Sequence, residues 1–395
     1  MSRFELLAPA GDLEKLKVAI LYGANAVFIG GLQFSLRSRA SNFTLEDIRE
    51  ACLFAHKHNA KIHVTCNIVM HEKDTDGVIE YLKALDNCGV DAVIASSLYI
   101  LKMVILHTSM EAHVSTQAST ANAQAVKFYE SIGAKRAVLA RELSLDEIEK
   151  VKKTSNIEIE CFIHGGMCVS YSGRCMLSNN LTNRDANRGG CAHSCRWTYD
   201  LIRDNRVYNP IGDYFAMSSK DLCAIEAIPR LMDIGVDSFK IEGRMKSLHY
   251  IATVVNAYRR IIDEYEQTHE VKDFEIYKNA ILKAENRLTS TGFLFHKPTI
   301  DEELYDLNLT VPTKEFIGIV RSYDNNTKMA IVEQRNYFTP FSIIEVFTPT
   351  NTFNIEIKEI YDKDGNILDA ARHPLQEIHF KSEIELHPYD LLRLN

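Results

Sequence analysis

Residues 5–31 read ELLAPAGDLEKLKVAILYGANAVFIGG. Two short apolar runs, Glu5–Ala8 and Ala26–Gly30, flank a stretch, Leu13–Tyr22, whose apolar residues recur at three- and four-residue steps. That is the pattern of strand, amphipathic helix and strand. The alternation continues outward from this unit. Further strands are expected at Lys61–Asn67, Ala92–Ala95, Glu111–Ser115, Arg136–Ala140, Glu158–Ile163 and Ser238–Glu242, with helices such as Leu45–His58, Val78–Cys88, Ala121–Ser131 and Leu145–Lys152 between them. Eight such units predict an α/β fold that closes as a (β/α)8 TIM-like barrel rather than an open sheet.

In that fold the active site gathers where the strands end, in the loops that follow. The residues expected there are polar: Asn67, Ser96, Ser115, Gln117, Arg141, His164, Glu242 and Arg244. The barrel is expected over 1–270, with a long cysteine-bearing insertion, 165–218, after the seventh strand. Connections are usually a few residues long, so a loop of that size needs a ligand, metal or function to order it. Leu248–Gln267 reads as a closing helix, and 271–309 as a helical and irregular connection. From about Thr310 alternating β stretches with polar turns predict a C-terminal all-β small barrel over 310–395.

Four of the nine cysteines, Cys168, Cys175, Cys191 and Cys195, fall within 28 residues. Their neighbours are Gly, Ser, Asn and Arg, which offer little apolar surface to bury a thiol. Cys52, Cys66, Cys88 and Cys161 sit instead in helical or strand patterns and read as small core hydrophobes. The N-terminal stretch does not read as a signal peptide and the cysteine total is odd, so a reducing cytoplasm is expected rather than a disulfide framework. Four soft donors on flexible tethers suit an iron–sulfur cluster or a closed zinc site. Zinc sites favour Cys-x-x-Cys pairs, which neither close pair matches, so a [4Fe–4S] cluster is expected, with zinc the alternative.

Net charge is −8, from 45 basic and 53 acidic side chains, which disfavours nonspecific coating of nucleic acid and leaves room for a local basic site. The distribution is uneven: residues 168–206 carry six arginines and no lysine, whereas 301–395 carry 17 acidic and 9 basic side chains. Arginine clustered beside the cysteines suits phosphate or carboxylate ligands. No run of apolar residues is long enough to span a bilayer. His164 is a candidate general base, and Glu242 with Arg244 a candidate clamp for an anionic substrate, although a structural histidine and a plain salt bridge are the competing readings. Tyr171, Trp197 and Tyr199 are placed either to stack on a ring or to shield a metal. No Gly-x-Ser-x-Gly elbow and no His-Glu-x-x-His occurs.

Residues 160–178, ECFIHGGMCVSYSGRCMLS, resemble the signature of the proteins named peptidase family U32, with Gly166 where that pattern has Ser or Ala. The resemblance extends from 5–31 through SSKDLCAIEAIPRL (218–231) to GVDSFKIEGRMKS (235–247). With NRDANRGGCAHSCRW (183–197), it is strongest to members that hydroxylate RNA. It implies an iron–sulfur enzyme forming 5-hydroxyuridine at the wobble position of tRNA, with prephenate as co-substrate. A protein partner in a hydroxylation complex is also implied as an option. By position it implies Cys168, Cys175, Cys191 and Cys195 as cluster ligands, with Cys223 as the substitute. On residue type and barrel position, His164, Glu242 and Arg244 are the candidates for catalysis and Arg174, Arg188, Asn67, Gln117 and Arg141 those for substrate binding; the resemblance adds a carboxylate for Arg174 or Arg244 to meet. The runner-up is the competing inheritance, a collagenase-type peptidase; hydroxylation of another RNA or of a small aromatic substrate is a further alternative.

Overall fold

Ser238 pairs on one side with Glu5 and on the other with Glu160, and this double pairing closes a ring of eight parallel strands. The computed structural model describes residues 3–36, 42–211, 214–284, 287–304 and 311–394. The ring consists of β1 (Glu5–Pro9), β2 (Ala26–Gly30), β3 (Lys61–Cys66), β4 (Ala92–Ala95), β5 (Glu111–Val114), β6 (Arg136–Val138), β7 (Glu158–Gly165) and β8 (Ser238–Ile241). Each strand pairs in register with the next. Helices α1 (Leu13–Leu21), α2 (Leu45–Lys57), α3 (Val78–Cys88), α4 (Leu98–His107), α5 (Ala123–Ser131) and α6 (Leu145–Thr154) wrap the outside. Their starts are written locally. Asp12 caps α1 by accepting from Lys15 N, and Thr44 with Asp47 and Ser144 with Glu147 form capping boxes on α2 and α6.

Alternation along each strand sends one set of side chains to the helices and the other into the ring. Leu7, Ala26, Phe28 and Ile94 form a cluster separate from the core between strands and helices. Below them lies a charged layer. The guanidinium of Arg136, 2 % exposed, pairs with Glu5, Glu158 and Glu160, and Glu160 also holds the Lys240 ammonium at 2.7 Å. Burial acts against ionisation of Glu160, but Lys240 and Arg136 outweigh it and hold its pKa below the usual carboxylate range.

The segment after β7 includes α7 (Leu177–Thr182) and a short hairpin at 202–207, then returns as Asp221–Cys223. That return pairs antiparallel with the tip of β7, Leu222 opposite Gly165 and Cys223 opposite His164. The seventh strand is therefore longer than its apolar run, and His164 lies inside it rather than in the loop after it. After α8 (Ile228–Ile234) and β8, the long helix α9 (Leu248–Thr268) and α10 (Phe274–Leu282) complete the N-terminal part.

The β module is an antiparallel half-barrel of β9 (Glu315–Asp324), β10 (Met329–Gln334), β11 (Ser342–Phe347), β12 (Thr352–Ile357), β13 (Ile360–Asp362), β14 (Ile367–Leu368), β15 (Glu377–Lys381) and β16 (Leu391–Leu394). The strand order is β12-β11-β16-β9-β10-β15-β13-β14. Residue 310, where the change of pattern was read, lies outside the described residues. The sheet seats on the barrel through Tyr22, whose hydroxyl donates to the Phe347 and Tyr389 carbonyls, and through Arg393, whose Nε donates to His249 Nε2 at 2.8 Å.

Candidate functional site

A cavity of about 570 Å³ opens over the C-terminal ends of the barrel strands. Phe28, Thr65, Ile94, Phe162 and Lys240 rise into it from the strands. The loops after them add Asn67, Ser115, Gln117, Arg141, Glu242 and Arg244, and the insertion after β7 contributes Cys168, Cys175, Cys191 and Cys195 to the same lining. Local backbone explains two close approaches. Gly165 and Gly173 have φ of +103° and +79°, and a Cβ on them would overlap the carbonyl oxygens of Glu242 and Gln117. Only glycine lets the insertion pack so tightly on the mouth.

The four thiols share one wall of the cavity. Burial pushes the Cys168 and Cys195 thiols above the usual range. Among the described residues no three His, Cys, Asp or Glu side chains stand at metal-binding distances, so the thiols would draw together and lose protons on loading. The donor set fits a thiolate-ligated group. Cys223 stands apart. Its sulfur lies 3.8 Å from the Tyr258 hydroxyl, paired with His164, and it does not line the cavity. Burial acts to raise the Cys223 pKa, but the hydrogen bond and charge of His164 outweigh it and hold the thiol below its usual value. The structure therefore groups four cysteines and leaves the expected substitute outside the group.

Among the described residues seven cationic side chains line the cavity, Arg141, Arg184, Arg196, Lys240, Arg244, Lys246 and Arg287, against two carboxylates, Asp221 and Glu242. Three of the cations share one buried carboxylate: Arg287 Nη1 lies 3.1 Å from Asp221, and Arg196 Nη2 and Lys246 Nζ each lie 4.0 Å from it. Positive charge is left over. Arg244 is 3 % exposed and is fixed by Asn42 Oδ1 at 2.6 Å and Ser35 Oγ at 3.3 Å. Arg141 stacks on Phe162 at 4.1 Å and donates to the Gly166 carbonyl. Lys240 Nζ lies over the rings of Phe28 and Phe162, at 4.6 and 5.5 Å. Lys240, Asp221, Arg196 and Arg287 escaped the reading of the sequence, because three of them take meaning only from partners distant in the chain. Lys240, two residues before Glu242 on a strand facing inward, was legible from alternation alone.

Three expected site residues lie off the cavity lining. His164 is 1 % exposed, with Nδ1 3.2 Å from the Tyr258 hydroxyl, and it does not line the cavity. The antiparallel return of Asp221–Cys223 runs beside it, with Cys223 opposite His164 and its thiol hydrogen-bonded to the imidazole. Arg188 is held bidentate by Asp74, at 2.5 and 3.0 Å, and staples the insertion to the loop after β3. Arg174 is exposed, bonded through Nε to Ser119 Oγ at 3.1 Å, and also lies off the cavity. Of the aromatic side chains, Tyr171 lines the cavity and Trp197 is exposed outside it.

The model of peptidase family U32 matches residues 11–303, and that of the family's C-terminal domain matches 312–393. The chain belongs to peptidase family U32. Among its relatives in U32 is the tRNA hydroxylation protein P1 of Bacillus subtilis, 47 % identical over 98 % of this chain and 94 % of that one. An uncharacterized protease of Methanocaldococcus jannaschii is 39 % identical over 84 % of each chain. The 23S rRNA 5-hydroxycytidine C2501 synthase of Escherichia coli is 41 % identical over 66 % of this chain and 39 % of its own. No helix among the described residues is long and apolar enough to cross a membrane.

Proposed function

We propose that this chain is an RNA hydroxylase of the cytoplasm that forms 5-hydroxyuridine at the wobble position of tRNA, with prephenate as co-substrate. The observation that carries the reading is the cavity lining, in which four thiols and a surplus of cations share one barrel mouth. On a chain of net charge −8, such a surplus confines a polyanion to that mouth. The relatives named for hydroxylation of tRNA and of ribosomal cytidine supply the substrate class.

Cys168, Cys175, Cys191 and Cys195 would hold a [4Fe–4S] cluster, which when bound supplies one-electron redox chemistry. Arg141, Lys240 and Arg244 are the groups for the carboxylates of prephenate. Two guanidinium forks can bind bidentately, and the Lys240 ammonium, paired with Glu160 at 2.7 Å and lying over the rings of Phe28 and Phe162, adds N–H donors beside them. Glu242, at the same lining, is left to orient the ligand or to move a proton. Deleting the gene and measuring wobble nucleosides by mass spectrometry tests the reading; unchanged 5-hydroxyuridine derivatives refute it. Iron and sulfide analysis of anaerobically prepared protein separates the cluster from zinc. Turnover that begins only when a second protein is added would make the chain a scaffold in a hydroxylation complex.

The peptidase reading rests on the family name and on one contact, Cys223 with His164, the thiol–imidazole pair that a cysteine peptidase uses. That imidazole is buried off the cavity, where a peptide has no access to the pair.

A further inference from the structure

Beside the cavity the insertion raises a short arm, and we propose that this arm docks single-stranded RNA next to the catalytic mouth. The inference rests on the reading of the chain as an RNA-acting enzyme and assigns the surface that reading lacks. The arm is the hairpin of Ile202–Arg203 and Arg206–Val207, joined by Asp204 and Asn205 at φ of +50° and +58°, the left-handed pair of a two-residue type I′ turn.

Its root is firmly built. Tyr199 and Phe215 exchange two backbone hydrogen bonds of 2.8 and 2.9 Å, Tyr208 N donates to the Leu201 carbonyl at 2.7 Å, and Leu201 N donates to Asn209 Oδ1 at 2.8 Å. The Tyr199 hydroxyl donates at 2.6 Å to the carbonyl of Ser194, which with Cys195 lines the cavity, so the arm is tied to the cavity wall.

Among the described residues, 201–208 of the arm are all exposed. Ile202, Val207 and Tyr208 are 70, 59 and 66 % exposed, and Trp197 at the root is 44 % exposed. A two-stranded hairpin is marginal in water by itself, and both faces of this one are left uncovered. Its chemistry selects the occupant. Arg203 and Arg206 interleave with the apolar and aromatic side chains, and the Arg203 guanidinium lies 5.9 Å from the Tyr208 ring. Stacking faces beside guanidinium forks are what an unpaired strand of bases and phosphates requires. Arg196, at the root, also lines the cavity, so Arg203 and Arg206 continue its guanidinium groups outward, with Asp204 3.8 Å from Arg203 and Asp200 as their acidic neighbours. A strand whose target base enters the cavity would lay a neighbouring base against Tyr208 and its phosphates against the two arginines.

The test is binding of a fluorescein-labelled tRNA transcript, followed by anisotropy over a salt series, to the cluster-loaded full chain. Tyr208→Ser is expected to weaken binding about tenfold, and Tyr208→Phe to restore it, because stacking needs the ring and not the hydroxyl. Arg203→Ser combined with Arg206→Ser is expected to lower the slope of log K against log salt by about 1.4, two phosphates at about 0.7 each. Unchanged iron content and circular dichroism identify folded variants. Undiminished binding by both variants overturns the arm while leaving the hydroxylase reading intact, and a wild-type chain that binds no tRNA overturns both. Self-association of the wild type that these variants abolish would overturn it in favour of a face between two copies of the chain.

Discussion

Lowering the pH should loosen the seat of the C-terminal sheet through one buried imidazole. His249, on α9, stacks on Phe316 at 5.3 Å, and its Nε2 accepts from Arg393 Nε at 2.8 Å. That nitrogen must carry a lone pair, since a proton on it would face the Arg393 guanidinium. Around it stand Arg393, Lys283 and Thr253, and the first two share the single carboxylate of Glu345 with Lys314. Burial first, then the charges of Arg393 and Lys283, push its pKa down from 6.5 to about 3. The group is thus neutral when folded and protonated when unfolded across the window from 6.5 down to about 3. The unfolded state binds the extra proton there, so stability falls as pH falls. At about 1.4 kcal/mol per unit, moving from pH 8 to pH 5 costs about 2 kcal/mol through this residue alone. Urea unfolding followed by circular dichroism at both pH values, on wild type and His249→Gln, isolates it, because the glutamine carbonyl can still accept from Arg393 and every other titration cancels. The wild type should lose about 2 kcal/mol more than the variant on acidification. Equal losses would refute the neutral-imidazole clamp.

Other expectations concern the site. Cys168→Ser and Cys191→Ser should abolish iron retention in anaerobically purified protein, whereas Cys223→Ser should keep its iron and visible absorption, since Cys223 lies outside the group of four thiols. Gly165→Ala should cost about 2–3 kcal/mol in thermal or urea unfolding, because the backbone is left-handed there and the new Cβ meets the Glu242 carbonyl. Arg188→Ala should cost about 1 kcal/mol and leave tRNA affinity unchanged, because its partner is Asp74 and not the cavity. Asp74 is pushed down to about 2 by Arg188, so the contribution of that pair is present above pH 3.8 and disappears as pH falls through about 2, which acid titration of wild type against the variant would read.

The primary structure was most legible where physics is local. Apolar runs at fixed intervals state strand and helix, eight such units state a barrel, and Thr44 with Asp47 or Ser144 with Glu147 state where helices begin. The grouping of Cys168, Cys175, Cys191 and Cys195 was legible for the same reason, since short tethers keep close neighbours close. Cavity positions Asn67, Gln117, Arg141, Glu242 and Arg244 followed from the barrel rule that strand ends carry the site.

Side-chain partners across long separations were not legible. Whether an arginine meets a ligand or a carboxylate depends on which acid the fold brings beside it. Arg188 meets Asp74 and Arg393 meets Glu345, while Arg196, Lys246 and Arg287 crowd one Asp221. His164 turned on a still finer point. A returning segment pairs antiparallel with the tip of β7, and the buried imidazole there meets the Tyr258 hydroxyl. The amino-acid order by itself determined the ring of strands and the thiol cluster, because periodicity and short tethers act within a few residues. Only the tertiary structure decided which charges gather at the mouth and which ring is buried, because Coulomb pairing and burial are set by neighbours up to hundreds of residues away.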